Sequence, residues 1–189
     1  MGRGLIVLIL LFIPEISIGG VYIEFSFENG GDTLISAEGS NEYFGSYDRD
    51  LDVGGGGKLA IGVHNIFGEN NDRSLILSLG YLQDSIDASN GDADYDTVTF
   101  DAIYGFHFNS HRLGIGATYH IGPEYKEDID GFPSFTVEFD DAPGLIIQYT
   151  YAYTPAFQFG LRLTEMDYEV GDVTLDASSV GIFLAYTWF

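Results

Sequence analysis

Glu24, Lys58, Asp101, Arg112 and Arg162 are the charges of this sequence best placed to act on one another. Each stands at the polar phase of a stretch in which apolar and polar residues alternate, as in Val21-Tyr22-Ile23-Glu24-Phe25-Ser26-Phe27. If those phases face a common narrow interior, an isolated charge there is costly and opposite signs must pair. The five residues are therefore expected to form one ion-pair network. Four histidines, His64, His107, His111 and His120, invite a search for metal or general-base chemistry. A zinc site takes three or four convergent ligands, and only His64 and His107 share a phase and an end. Hydrogen bonding is expected of them, with no metal and no cofactor. A serine nucleophile needs a base within hydrogen-bond reach. Asp84-Ser85 has only His120 near its end of the molecule, so a non-enzymatic chain with no catalytic residue is expected.

What positions these side chains is a set of eight alternating stretches: 21–28, 57–66, 74–83, 95–108, 112–121, 144–153, 157–169 and 180–189. Period-2 alternation specifies pleated strands with one apolar and one polar face. The connectors switch between short (67–73, 109–111, 154–156) and longer ones (29–55 and 122–143 long, 84–94 medium), and Gly171-Asp172 turns the chain before the last strand. Within the third long connector, Phe135-Thr136-Val137-Glu138-Phe139 reads as an extension of the neighbouring strands. Even strand number with short turns at one end and long loops at the other is the pattern of an outer-membrane barrel. The fold expected is all-β, an eight-stranded antiparallel up-and-down transmembrane β-barrel.

Glycine, small residues and charges dominate one face, and bulky apolar residues the other. A soluble barrel would turn the bulky face inward. An interior of eight strands is narrow, so here the small and charged face belongs inside and the bulky face meets lipid. Aromatic residues gather at both ends: Phe106, Tyr151, Tyr153, Phe157, Tyr186 and Trp188 at the short-turn end, Phe27, Tyr81 and Tyr119 at the other. Such girdles mark the two membrane interfaces.

Net charge is −22, which excludes nucleic-acid binding by clustered Lys and Arg. The acids concentrate in the long connectors: Asp32, Glu38, Glu42, Asp48, Asp50 and Asp52 in the first, Glu124, Glu127, Asp128, Asp130, Glu138, Asp140 and Asp141 in the third. Oxygen-rich loops suit Ca²⁺ or Mg²⁺, though no EF-hand spacing occurs. A solvated, repulsive external rim is the plainer expectation, with divalent cations as possible partners that would bridge it to lipopolysaccharide. Cysteine is absent, so no disulfide framework exists. At the start, Arg3, the apolar run Leu5–Ile13 and small residues up to Gly19 read as a signal peptide over residues 1–19, followed by the barrel over 20–189.

The signal segment, the eight strands and the closing Ser179-Val180-Gly181-Ile182-Phe183-Leu184-Ala185-Tyr186-Thr187-Trp188-Phe189 together resemble the small outer-membrane barrels of Gram-negative bacteria, the OmpA/OmpX-like superfamily and its porin-like relatives. The resemblance implies the cell outer membrane as location. It also implies that the terminal aromatic, Phe189, addresses the outer-membrane insertion machinery. Here Trp188 keeps the apolar phase and Phe189 lies one step beyond it, so either Trp188 is the effective end or a bulge resets the phase. Lipid A deacylases of similar size carry His-x-Ser on a strand, and this sequence has none. Palmitoyl transferases pair Asp-Ser with a His in the first external loop, and residues 29–55 contain no His. The expected role is structural and surface-interactive, in a monomer surrounded by outer-membrane lipid and lipopolysaccharide. A narrow cation-preferring pore is the alternative, and a lipid-modifying enzyme a more remote one.

Overall fold

The computed structural model describes residues 18–41, 45–88 and 90–189. Most of the segment expected to be a signal, residues 1–17, lies outside these. Its last two residues, Ile18 and Gly19, pair with Ile66 and Asn65. Twelve strands occur among the described residues: β1 (Ile18–Asn29), β2 (Thr33–Asn41), β3 (Gly45–Asp52), β4 (Gly56–Phe67), β5 (Arg73–Ala88), β6 (Gly91–Phe108), β7 (His111–Ile129), β8 (Phe135–Glu138), β9 (Ala142–Ala152), β10 (Phe157–Val170), β11 (Val173–Asp176) and β12 (Ser179–Trp188).

Eight of them close a ring. β1 pairs with β4, then β5, β6, β7, β9, β10 and β12 follow in order, and β12 returns to β1 through Val21↔Trp188 to Asn29↔Val180. Every pairing is antiparallel, as an up-and-down meander requires, and closure removes the exposed edges that would otherwise recruit other strands. The alternation decides the faces. Leu59, Ile61, Leu145 and Ile182 are more than half exposed, and Phe25 is 44% exposed. Their strand neighbours Lys58, Ala60, Ile146, Phe183 and Glu24 are buried inside the ring. A belt of naked Leu, Ile, Val and Phe around a closed sheet is a lipid-facing surface, since in water so large an apolar area would drive association.

Three expectations about the connectors need correction. Residues 84–94 are strand rather than loop: β5 and β6 stay paired up to Ala88↔Gly91, because alternation persists through Ile86, Ala93 and Tyr95, all buried. The connector 29–55 contains the separate hairpin β2–β3. Residues 122–143 begin with a continuation of β7 to Ile129, against which β8 pairs as expected of residues 135–139. The Gly122-Pro123 pair that reads as a loop start is a bulge: β6 residues Asp96 and Val98 face Glu124 and Ile121, with Gly122 at φ 58°. Gly tolerates that conformation and Pro needs no partner there. The extra residue flips the phase of β7, so inward positions run Arg112, Gly114, Thr118 and His120 below it and Tyr125 above it.

Candidate functional site

The middle of the barrel holds a compact ionic core. Arg162, on β10 and 2% exposed, reaches across the lumen to Glu24 on β1 with a two-pronged contact, Nη1 to Oε1 at 2.8 Å and Nη2 to Oε2 at 2.7 Å. Its fork also donates to Gln148 Oε1 on β9 at 2.8 and 3.1 Å. Lys58 on β4 donates to Asp101 on β6 at 2.8 Å and lies 3.8 Å from Glu24. Asp101 accepts a further bond from Thr118 at 2.7 Å and stands 3.8 Å from Arg162. Tyr22 donates its hydroxyl to Glu24. Two carboxylates, a guanidinium and an ammonium so arranged satisfy one another, which is the condition for burying charge at tolerable cost.

Four of the five charges expected to meet are thus brought together, and the fifth is not. Arg112 lies apart, its Nη1 at 2.9 Å from His64 Nε2 and its Nη2 at 3.2 Å from Thr150 Oγ1, with no carboxylate within ion-pair distance among the described residues. Parity alone put it on the inner face. Its height along the strand, two residues from the short turn, keeps it near the opposite mouth. Sequence reasoning missed Glu28, whose carboxylate is 3.7 Å from Arg162 and accepts from Ser26 at 2.9 Å. Glu28 shares the phase of Glu24, and that parity could have found it. The interior is also greasier than small residues and charges would make it. Tyr22, Ile76, Ile103, Ile146, Phe183 and Ala185 form an apolar layer there, and the Arg162 guanidinium lies 5.5 Å from the centre of the Phe183 ring.

Above the ions, on the side of the long connectors, an apolar cap fills the mouth. Leu51 and Val53, from the first connector, are wholly buried against Leu82, Ile86, Tyr95, Phe139, Met166 and Tyr168. The connector turns back into the barrel at Gly54, where φ is +80° and an added Cβ would come within 2.4 Å of the Ala177 carbonyl. It is also tied to the last connector: Asp32 N–H donates to the Asp176 carbonyl at 2.7 Å, and Asp176 N–H to the Asp32 carboxylate at 2.9 Å. Beneath the cap the Tyr95 and Tyr168 hydroxyls share a hydrogen bond of 2.6 Å, and Tyr168 also contacts His120 Nδ1. One cavity between cap and ions, lined by Glu28, Lys58, Asp101 and His120, measures about 10 Å³, room for a single water at most.

His120, the histidine considered as a base for Ser85, is occupied by Tyr168, and Ser85 instead receives the Asp84 carboxylate on its backbone N–H at 2.9 Å. His107 meets Ser74 at 2.9 Å and His111 meets the Tyr149 hydroxyl at 2.7 Å. Among the described residues no group of three His, Asp or Glu is arranged to hold a metal ion.

The aromatic residues expected at the interfaces stand on the outer face near the strand ends. Tyr81 and Tyr119 lie at the capped end; Phe106, Tyr153, Phe157, Tyr186 and Trp188 are exposed at the short-turn end, with Tyr151 half-buried among them. Tyr186 and Trp188 rings pack 4.5 Å apart. β12 keeps its register to Trp188 without a bulge, and the Phe189 ring turns to the lumen side, 5.9 Å from His64.

No family model matches the sequence, and no curated protein matches it either. Among solved structures the chain is similar to Ail, the attachment invasion locus protein of Yersinia pestis, in complex with the heparin analogue sucrose octasulfate. That likeness has a TM-score of 0.53 and 15% identity over 90% of this chain and 97% of that one. Neisserial surface protein A gives a TM-score of 0.49 and 14% identity, over 92% of this chain and all of that one. Closed ring, apolar belt and paired girdles define the class: an eight-stranded transmembrane β-barrel of the outer-membrane type.

Proposed function

We propose that this barrel is a sealed anchor which holds an acidic platform on the cell exterior, with a structural and surface-interactive role. The observation that carries the reading is the interior: ions paired across the lumen, an apolar layer among them and a folded cap above. An eight-stranded interior is just wide enough to be filled by side chains, and here they fill its middle and its capped end. The strands that continue past the belt carry the platform. Asp87, Asp92 and Asp128 stand in one cross-strand row, and Asp96, Glu124 and Glu138 in another. Lys126 is the one basic side chain in these upper strands, paired with Glu124. So negative a surface repels sulfated polyanions such as the ligand bound in the Ail structure, which favours cationic partners or cation-bridged lipopolysaccharide instead.

Planar-bilayer recording tests the reading against a narrow pore. A sealed barrel gives no discrete conductance steps. Reproducible steps that disappear in Arg162→Ala would replace the anchor with a channel gated by its ion pairs. Incubation with labelled lipid A should likewise return the lipid unchanged.

A further inference from the structure

At the mouth opposite the cap, the lumen opens into a vestibule of about 310 Å³ between the three short turns. Arg112 forms part of its lining while being itself 5% exposed. A guanidinium stays charged at any physiological pH and carries five N–H donors. His64 and Thr150 take two of them at 2.9 and 3.2 Å. His64 in turn has its Nδ1 at 3.1 Å from Thr187 Oγ1, so the ring holds Arg112 in place as a neutral acceptor.

Over the whole lumen the charges balance, since the buried Glu24, Glu28 and Asp101 match the buried Lys58, Arg112 and Arg162. They are nevertheless separated. Glu28 lies under the cap with its Oε2 unpartnered, and Arg112 lies at the far mouth without a carboxylate. No Asp or Glu lines the vestibule among the described residues. Asp72, at its rim, is 3.8 Å from the exposed Arg73. A second group also lacks a partner there: the Gln158 side chain is 3% exposed, lines the vestibule and has no donor to its Oε1. Turned by half a revolution about its Cγ–Cδ bond, the same side chain offers its N–H donors in that place.

We propose that this vestibule binds a small anion bearing a carboxylate or phosphate group, entering from the periplasmic side and held by the fork of Arg112 beside His107 and Gln158. A doubly oxygenated anion matches the planar guanidinium in a two-pronged contact. It also removes the cost of a buried cation left without a counter-charge. A cavity of this size has room for a free ion or the headgroup of an anionic lipid.

The full chain, folded in zwitterionic micelles, is titrated with inorganic phosphate, then acetate, against chloride at equal ionic strength. The Arg112 Nε–H and the His64 and His107 ring signals are followed by NMR. Saturable shifts with phosphate or acetate but not chloride are the expected result, identifying a free oxyanion. If micelles give none but nanodiscs with phosphatidylglycerol do, and pure phosphatidylcholine discs do not, the ligand is a headgroup phosphate and the site stands. Arg112→Gln should abolish the saturation, and Arg112→Lys should weaken it roughly tenfold or more, the loss of one charge-assisted bond. Heat-modifiable migration on gels checks that each variant is folded, and should Arg112→Gln fail that check the Lys variant carries the comparison. Shifts that follow chloride equally, that persist unchanged in the folded variant, or that appear in neither medium overturn the proposal.

Discussion

Removing the guanidinium of Arg162 strands Glu24 and Glu28 and takes a neighbouring cation from Asp101, with Lys58 alone left among them. Breaking a buried pair from one side costs about 3–5 kcal/mol. Arg162→Ala should therefore lower the unfolding free energy of the lipid-embedded barrel by about that amount, read from urea midpoints. Adding Glu24→Gln should recover part of the loss, since one stranded carboxylate is then gone; additive losses would show that the two do not act as a pair. Outside the membrane, Asp94 has its carboxyl pushed up by partial burial and by the carboxylates of Asp92, Asp87 and Asp96. A raised acid disfavours its charged form in the folded state. Its repulsion is fully present at neutral pH and is relieved as pH falls through that raised value toward the ordinary Asp range. Protection of the β5–β6 tip from proteolysis, or its amide exchange, should therefore improve on mild acidification, and Asp94→Asn should remove that part of the response. At this scale the sequence was readable where parity decides, as for Glu24, Lys58, Asp101 and Arg162. It was unreadable where height along the tilted strands decides, which is why Arg112 reads as a member of the ion network yet lies apart from it.

The first long connector is an element whose composition hides its structure. Rich in Gly, Asp and Ser, it reads as a solvated loop, yet Leu51 and Val53 return into the mouth and Val53 N–H donates to the Asp32 carbonyl at 2.9 Å. Two apolar residues next to four consecutive glycines, Gly54 to Gly57, were the available signal. Their meaning depends on the cap residues supplied by β5, β6 and β10, far away in sequence. Gly54→Ala places a Cβ against the Ala177 carbonyl and forces a left-handed backbone that costs an L-residue roughly 1–2 kcal/mol. The expected outcome is release of the cap: new protease cleavage between residues 30 and 55 with the barrel's heat-modifiable migration retained. Unchanged protection would mean that the connector is not held through that turn. A similar limit applied at Gly122-Pro123, where a local rule reads a loop and the paired β6 makes a bulge in a continuing strand.

For the whole molecule, alternation was the reliable signal. One period-2 pattern, repeated eight times, fixes ring closure, the lipid belt and the polar axis together, because a shift of one residue would turn every Leu and Ile of a strand into the lumen. What the pattern left open is how the lumen is filled along its length, since that depends on which inward side chains meet across the ring. The belt is the claim on which anchor, plug and vestibule all rest. With no native cysteine to interfere, single spin labels can be placed at each position from Val180 to Trp188 of β12 in bilayers, and their collision rates with oxygen measured. High oxygen access at 180, 182, 184 and 186, alternating with low access at 181, 183, 185 and 187, is the predicted profile; a flat profile, or one with the phases exchanged, would contradict the account.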